Sequence, residues 1–284
     1  MLITQTIEET RRARQELTGR VALVPTMGAL HDGHMALVEA AAHHAQHVVV
    51  SIFVNPTQFG ANEDFDRYPR TLEADLARCR EAGVALVFAP TVADMYPPSA
   101  IPSDLSVPSL ATILEGAHRP GHFNGVCRVV AKLFNIIQPD IAIFGRKDYQ
   151  QWRVIEAFVA DLNMPVTIIA HPTVREADGL AMSSRNVYLK PEERPHALGL
   201  YKALTEAKLL IEEAGETDPA VVERAMQQML TSHHVAVDYA VIRHPHTLAP
   251  LDAISPELTD GVVALVAGRV GNVRLIDNMV IGER

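Results

Sequence analysis

Two histidines, His31 and His34, stand three residues apart in a glycine-containing turn, where their side chains could do chemistry. The turn, Pro25–His34, follows the apolar run Val21–Val24 and opens a helical pattern. Such a strand-to-helix turn presents free backbone N–H groups and the positive end of a helix dipole, which both favour a phosphate. Imidazole donates an N–H near neutral pH and can also carry a charge. We therefore expect this turn to bind the phosphates of a nucleotide.

A second group of residues offers cations and hydroxyls for a triphosphate. Lys147 follows the apolar run 141–144, and Arg185 lies in a later loop beside Ser183 and Ser184. The lysine and arginine supply charged donors, and the serines supply neutral ones. Asp148, next to Lys147, could accept hydrogen bonds from ribose hydroxyls. The turn lacks the G-x-x-x-x-G-K-[ST] and G-x-G-x-x-G patterns, which argues against a P-loop kinase and a dinucleotide dehydrogenase.

Uncharged amide side chains form a third group. Asn55 and Gln58 follow the apolar run 48–54, and Gln151 follows Lys147 by four residues. An amide both donates and accepts, so Gln58 and Gln151 suit a small ligand with hydroxyls and a carboxylate. No serine, cysteine or lysine is evidently paired with a base as a covalent nucleophile. The inventory favours direct attack on a phosphorus atom, driven by positioning and charge stabilisation.

Alternating strands and helices must position these residues in the first part of the chain. Apolar runs predict strands at 21–26, 48–54, 84–88, 141–144 and 166–170, and helical patterns occupy 33–46, 71–82, 121–138 and 148–161. This alternation predicts an α/β fold with a Rossmann-like, doubly wound parallel sheet, whose ligands lie beyond the carboxyl ends of its strands. We also predict a helix from the N-terminus to about Leu17 and an irregular segment over 89–120.

The pattern changes after about residue 172. Helical patterns cover 191–214 and 219–231, and three strand-like runs follow at 235–242, 262–267 and 273–280. Gly271-Asn272, between the last two runs, is a hairpin signal. We predict a Rossmann-like nucleotide- and substrate-binding domain over 1–173 and a smaller α+β domain with a short antiparallel sheet over 174–284.

Composition limits the partners and the compartment. The 284 residues carry a net charge of −9, which argues against a broad nucleic-acid surface. No run approaches the roughly 20 apolar residues of a membrane span, and the N-terminus lacks the pattern of a signal peptide. Cys79 and Cys127 offer neither a disulfide framework nor a metal spacing. We expect a cytoplasmic protein that acts on small molecules, without nucleic acid or membrane partners.

Longer motifs carry a family resemblance. His31-Asp-Gly-His34 resembles the H-x-G-H signature of the nucleotidylyltransferase superfamily. PTMGALHDGH, SIFVNPTQF, RPGHFNGV, KDYQQ and MSSRN, in this order, resemble the pantoate–β-alanine ligase family over essentially the whole chain. The resemblance implies that pantoate attacks the α-phosphorus of Mg-ATP to give pantoyl adenylate and pyrophosphate. The amine of β-alanine then displaces AMP and forms pantothenate. The resemblance also implies a homodimer.

The resemblance assigns residues to each substrate. His34 is implied as the proton donor, with His31, Lys147 and Arg185 as the other catalytic groups at the phosphates. Gln58, Gln151 and Asn55 are implied for pantoate and β-alanine, so the domain 1–173 is implied to bind pantoate. ATP is implied at Met27, Gly28, Ala29, Leu30, His31, Asp32, Gly33, His34, Gly145, Arg146, Lys147, Asp148, Val174, Met182, Ser183, Ser184 and Arg185.

Two positions depart from the family pattern, and the metal ligands are unknown. Arg146 stands where relatives commonly have Glu or Gln, which adds a positive charge near the ribose. Thr57 stands where many have Met. Magnesium is implied as a companion of ATP, with phosphate oxygens as most of its ligands.

Simpler interpretations of the same residues remain open. The two histidines could cap a helix, Ser183 could be an ordinary N-cap, and Lys147 and Arg185 could be solvated charges. His118 and His122 are expected on a half-exposed helix face rather than in a metal site. The tract Glu63, Asp64 and Asp66 is expected to be a solvated acidic face.

Three other functions also fit parts of the pattern. An adenylyltransferase would share H-x-G-H, but it would need extra cations for a phosphorylated acceptor where this chain has glutamines. An RNA-binding relative of the aminoacyl-tRNA synthetases disagrees with the acidic charge, and a salt-dependent RNA shift would revive it. A non-catalytic nucleotide-binding module would form no product with β-alanine.

Overall fold

The computed structural model describes residues 1–61, 63–255 and 259–283, and the chain divides into two compact units. Unit 1 comprises Met1–Arg146 and Gln151–Pro172, and unit 2 comprises Lys147–Gln150 and the residues from Thr173 onward. The division into domains 1–173 and 174–284 stays a proposal. No helix among the described residues has both the length and the apolar character needed to cross a membrane.

Unit 1 is built on a six-stranded parallel sheet. Its strands lie in the order β1-β4-β3-β2-β5-β6. They are β1 (Leu2–Thr4), β2 (Val21–Thr26), β3 (His47–Ile52), β4 (Leu86–Phe88), β5 (Ile141–Gly145) and β6 (Thr167–His171). The connecting helices are α1 (Ile7–Gln15), α2 (Asp32–His44), α3 (Leu72–Glu81), α4 (Val92–Met95), α5 (Pro108–Ala111), α6 (Glu115–His118), α7 (His122–Ile137) and α8 (Tyr149–Asp161). The first two residues of α8 belong to unit 2.

Both faces of the central strands β2, β3, β4 and β5 are buried, as their apolar sequences predict. Ala22 and Val24 of β2 share a core cluster with Leu37 of α2 and Leu76 of α3. The alternate residue Leu23 points to the opposite face and is also fully buried. Helix α7 contacts β2 and α1. The doubly wound, Rossmann-like sheet is therefore confirmed.

The strand order places the switch point of the sheet between β2 and β5. From β2 the chain runs through β3 to β4 on one side, and then returns to β5 on the other side of β2. Ligands of doubly wound sheets bind in the crevice outside such a point, beyond the carboxyl ends of the strands. The turn with the two histidines follows β2, and Gly145 ends β5.

Two predictions about unit 1 were wrong. The N-terminal segment does not start as a helix, because Leu2–Thr4 is an edge strand paired with Leu86–Phe88. The helix begins only after Thr6, whose hydroxyl accepts from the Glu9 amide while the Glu9 carboxylate accepts from the Thr6 amide. The segment 89–120 is not wholly irregular, since it contains the four-residue helices α4, α5 and α6.

Unit 2 has the predicted α+β composition. Helices α9 (Arg194–Glu212) and α10 (Pro219–Ser232) precede an antiparallel sheet of β7 (Ala236–Arg243), β8 (Asp260–Val270) and β9 (Val273–Glu283). Gly271-Asn272 forms the turn of the β8–β9 hairpin, as predicted. The core of the unit includes Leu200, Leu204, Met226, Leu230 and Ile242, which come from both helices and from β7.

Candidate active site

The turn Pro25–His34, hereafter the histidine turn, is held in an unusual backbone conformation by a buried carboxylate. Gly28 and Ala29 both have positive φ, at 81° and 49°. Their geometry directs consecutive amides inward, where the Ala29 N–H donates to Asp75 at 3.0 Å and the Leu30 N–H donates at 2.8 Å. Asp75 lies on α3 and is 2% exposed. These two N–H groups are thus not free, contrary to the expectation from the sequence.

A second residue of α3, one helical turn after Asp75, also holds the histidine turn. Arg78 donates to the Leu30 carbonyl oxygen at 2.9 Å and pairs with the Asp32 carboxylate. Helix α3 was predicted, but its role was not, because a helical pattern does not show which turn the helix packs against. Asp75 and Arg78 are therefore site-positioning residues that the sequence reasoning missed.

His31 and His34 lie together at the start of α2. His31 is the N-cap residue, and the centroids of the two rings are 4.0 Å apart. The His31 backbone N–H donates to Nδ1 of His34 at 3.3 Å. Because Nδ1 accepts this bond, neutral His34 carries its proton on Nε2. The outer nitrogen therefore carries the N–H in this tautomer.

The amide side chains after β3 meet the histidine turn. Gln58 Nε2 donates to the Met27 sulfur at 3.2 Å, and its Oε1 accepts from Asn55 Nδ2 at 3.0 Å. Asn55 and Gln58 are both buried. Tyr96 donates to Asn55 Oδ1 at 2.9 Å, and the Thr57 hydroxyl donates to the same oxygen at 2.8 Å. Thr57 thus helps to hold Asn55.

The N-terminal half of α7 packs directly against the turn that carries Asn55 and Gln58, hereafter the amide turn. Asn55 Nδ2 donates to the Gly125 carbonyl oxygen at 3.1 Å. A Cβ atom on Gly125 would lie 2.2 Å from the Thr57 carbonyl oxygen, so only glycine permits this approach. His122 Nδ1 lies 2.8 Å from the Gln58 carbonyl oxygen. The RPGHFNGV motif therefore positions Asn55 and Gln58.

A half-buried ion pair completes the support of Gln58. Arg119 donates to both carboxylate oxygens of Glu63, at 2.7 and 2.6 Å, and to His122 Nε2 at 3.1 Å. Burial raises the pKa of the Glu63 carboxyl, but the Arg119 guanidinium outweighs it and leaves that pKa below its ordinary value. The expectation that Glu63 belongs to a solvated face was therefore wrong.

His122 is buried and neutral rather than half-exposed as predicted. Burial, and then the charge of Arg119, lower the pKa of His122 from 6.5 to about 4, against the opposing effects of the Gln58 carbonyl, Glu63 and Glu115. A neutral ring can donate from Nδ1 to the Gln58 carbonyl while Nε2 accepts from Arg119. The prediction of a half-exposed helix face fails because α7 faces the core on nearly all sides.

The residues after β5 divide between the two units. Gly145 and Arg146 belong to unit 1, and the Arg146 guanidinium lies 5.6 Å from the centroid of the Trp152 ring. This cation–π contact places the unexpected positive charge against an aromatic face. Gln151, on α8, is half-buried in unit 1.

Lys147 and Asp148 belong to unit 2, where β9 holds the backbone of Lys147. Asn278 Nδ2 donates to the Lys147 carbonyl oxygen at 2.8 Å. Lys147 Nζ lies 3.7 Å from Asp148 Oδ1, and the side chain of Lys147 is 21% exposed. Lys147 is therefore not the freely solvated surface charge of the simpler interpretation.

A buried ion pair connects this turn to the segment around Val174. Arg175 donates to both oxygens of Asp277, at 2.7 and 3.0 Å. The backbone N–H of Asn278 donates to Asp277 Oδ1 at 2.8 Å. Burial raises the pKa of the Asp277 carboxyl, and Arg175 opposes that rise. The Met182 amide donates to the Val174 carbonyl at 3.0 Å. Unit 2 thus brings together Lys147, Val174 and Met182.

The serine–arginine segment is anchored by Asn186. Ser183 is the N-cap of a 3₁₀ turn over Ser184–Tyr188 and accepts from the Arg185 amide at 3.3 Å. Asn186 Nδ2 donates to Glu176 at 2.8 Å and to the Ala181 carbonyl at 3.0 Å. The N-cap interpretation of Ser183 is confirmed.

Within the described ranges, no group of three or more His, Cys, Asp and Glu side chains could hold a metal ion. The positioning residues that sequence reasoning missed are Asp75, Arg78, Arg119, Asp277 and Asn278. Their partners lie tens of residues away in the chain, so no local pattern marks them.

Comparison with known proteins identifies the family. A family model described as pantoate–beta-alanine ligase matches residues 2–280. The chain belongs to this family. It is 52% identical over 278 residues to the pantothenate synthetase of Acidothermus cellulolyticus, in an alignment that covers 98% of this chain and 91% of that protein. It is 51% identical over 285 residues to that of Moorella thermoacetica, covering 99% of each.

Solved structures of this family have the same fold. The crystal structure of pantothenate synthetase from Thermus thermophilus aligns with a TM-score of 0.92 at 48% identity and covers 99% of both chains. The pantoate-beta-alanine ligase from Francisella tularensis, complexed with beta-gamma ATP and beta-alanine, aligns with a TM-score of 0.81 at 32% identity and covers 99% of this chain and 97% of that chain.

Proposed function

We propose that the protein condenses (R)-pantoate with β-alanine to pantothenate, using ATP and releasing AMP and pyrophosphate. The observation that carries the proposal is the meeting of two turns at neighbouring strand ends. The histidine turn touches the amide turn through Gln58 and Met27, at 3.2 Å. Donors suited to phosphate thus adjoin uncharged groups suited to a hydroxy acid. Family membership supports this pairing of substrates.

In the first step, a carboxylate oxygen of pantoate attacks the α-phosphorus of ATP. The new P–O bond forms as the bond to pyrophosphate breaks, which gives pantoyl adenylate. We assign His34 to the transferring phosphate, because its Nε2–H can donate to the oxygens on which negative charge develops. His31, Lys147 and Arg185 are assigned to the same charge stabilisation.

In the second step, the amine of β-alanine attacks the acyl carbon. The C–N bond forms, the C–O bond to AMP breaks, and the amine loses a proton. We assign Gln58, Gln151 and Asn55 to holding pantoate and the attacking amine. ATP is assigned to Met27 through His34, Gly145 through Asp148, Val174, and Met182 through Arg185.

Magnesium is proposed to arrive with ATP as part of the substrate. Phosphate oxygens are proposed as most of its ligands, because Mg²⁺ is usually bound through substrate phosphates. A homodimer is proposed from the family resemblance, and light scattering on the purified protein would test it. A cytoplasmic location is proposed because Cys79 and Cys127 are free and buried.

The proposal is tested by measuring AMP released from ATP. We expect release in proportion to pantothenate only when both pantoate and β-alanine are present. AMP formation without pantoate, or a stable dinucleotide product, would overturn the proposal. A protein that binds ATP but forms no AMP with both substrates would be a binding module.

A further inference from the structure

Two cations on α7 lie beside the amide turn, and the assignments above leave them unused. The guanidinium carbon of Arg128 lies 5.1 Å from the centroid of the Tyr96 ring, and Nζ of Lys132 lies 5.6 Å from it. The hydroxyl of the same tyrosine donates to Asn55 at 2.9 Å, and Asn55 donates to Gln58 at 3.0 Å. Two residues, Tyr96 and Asn55, thus connect each cation to Gln58.

The register of α7 directs both cations toward the same side as Gly125. Arg128 is three residues after Gly125, and Lys132 is seven residues after it, so the three residues share one face of the helix. Gly125 is the point where α7 touches Thr57 and Gln58. Arg128 and Lys132 therefore continue the wall that begins at the amide turn.

The two cations are half-buried on a helix that is otherwise almost wholly buried. Among the residues that the structure describes, neither forms an ion pair with a carboxylate. Burial, and then the charge of Arg128, lower the pKa of Lys132. Two like charges that repel each other beside Tyr96 cost stability unless an anion joins them.

We propose that Arg128 and Lys132 bind the carboxylate of β-alanine and so select an amino acid over a simple amine. The inference rests on the proposed function. Pantoate uses its carboxylate to form the adenylate, whereas the carboxylate of β-alanine takes no part in bond formation and needs its own partner. The short spacer between its amine and its carboxylate requires that partner close to the acyl carbon, on the side of Asn55 and Gln58.

The test compares β-alanine with propylamine, which has the same chain length but no carboxylate. Arg128→Met and Lys132→Met each remove the charge and leave an unbranched apolar side chain at the position. We expect kcat/KM for β-alanine to fall on the order of 10- to 100-fold in each variant, because a charged hydrogen bond is lost. We expect kcat/KM for propylamine to stay unchanged.

Pyrophosphate exchange with pantoate and ATP separates this inference from the proposed function. Exchange in both variants at the wild-type rate, together with a lower preference for β-alanine, supports the subsite. An equal loss with both amines would overturn it and show a structural role, as would an unchanged KM for β-alanine. Absence of exchange in the wild-type protein would instead contradict the proposed function.

Two further variants separate a loss of the subsite from a folding defect. Lys208→Met removes an exposed cation on α9, which pairs with Glu212, and should leave both amines unaffected. Lys132→Arg keeps the charge and should retain most of the preference for β-alanine. If Lys132→Met does not fold, loss of that preference in Lys132→Arg would contradict the proposal and its retention would support it. When propylamine turnover is too slow to measure, KM for β-alanine decides.

Discussion

The carboxylate of Asp75 accepts the backbone N–H of Leu30 at 2.8 Å, and this bond fixes the turn that carries both histidines. The second oxygen accepts the Ala29 N–H at 3.0 Å. An asparagine at position 75 can accept only through one oxygen and turns an N–H toward one of these donors. We therefore expect Asp75→Asn to lose roughly 1–3 kcal/mol of unfolding free energy and to slow adenylation.

Denaturant unfolding and the rate of adenylation together check this prediction. Glu73→Gln is the matched control, since it removes an exposed carboxylate from the first turn of the same helix. The control should behave as the wild type in both measurements. If Asp75→Asn adenylated pantoate at the normal rate, the turn would not depend on this carboxylate.

The buried His122 predicts a stability loss in mild acid. Because its pKa falls from 6.5 to about 4 on folding, the folded state stays unprotonated at a pH where the unfolded state binds a proton. Stability from this group is complete above about 6.5 and falls as the pH drops towards 4, by roughly 3 kcal/mol in total. Urea unfolding across this range should show the loss in wild type.

His122→Gln isolates the contribution of this group from other titrations. Glutamine can still donate to the Gln58 carbonyl but does not titrate. The wild-type unfolding free energy minus that of the variant should decline between pH 6.5 and 4. A difference that stays constant over this range would mean that His122 is not held neutral.

The assignment of His34 predicts that its removal lowers the rate of adenylation without lowering the stability of the fold. His34→Ala removes the Nε2–H donor, and we expect adenylation to slow by about 100-fold or more while the melting temperature changes little. His44→Ala, at the exposed end of the same helix, should keep the normal rate. Near-normal turnover in His34→Ala would show that its role is misassigned.

The close approach of α7 to the amide turn predicts a selective effect of one methyl group. Gly125→Ala would place Cβ 2.2 Å from the Thr57 carbonyl oxygen, so Asn55 and Gln58 must move. We expect a higher KM for pantoate together with lower stability. Gly60→Ala meets only ordinary contacts, at 3.8 Å, and should be tolerated. Equal pantoate saturation in the two variants would argue against this role of α7.

The buried Arg175–Asp277 pair in unit 2 predicts that removing Arg175 costs far more stability than removing an exposed arginine. Arg175→Met leaves the Asp277 carboxylate buried without its partner, and we expect a loss of about 3–5 kcal/mol. Arg12→Met breaks an exposed pair with Glu8 and should cost about 0.5 kcal/mol or less. Similar unfolding free energies for both variants would contradict the importance of the buried pair.

Local pattern predicted the elements of this fold but not the contacts between them. The apolar runs at β2, β3 and β5 and the Gly271-Asn272 hairpin were readable, since each depends on neighbouring residues. The three-residue β1 was missed because an edge strand that short has no period. Glu63 was misassigned because its partner, Arg119, lies 56 residues away.

The candidate site shows the same limit. The residues assigned to the substrates stand at strand ends and in motifs, which a sequence displays. Asp75, Arg119 and Asp277 act through buried hydrogen bonds to backbone or to distant side chains, which only the folded chain brings together. The one signal in the sequence was an acidic residue, Asp75, among the apolar positions of a helical pattern. Its role became clear only from the packing of α3 in the fold.

We propose above that the protein activates pantoate as an adenylate before β-alanine reacts. Exchange of labelled pyrophosphate into ATP tests this most directly, with pantoate present and β-alanine absent. We expect exchange that requires pantoate and that is about 100-fold slower, or slower still, in His34→Ala. No exchange from protein that still forms pantothenate with all three substrates would contradict it.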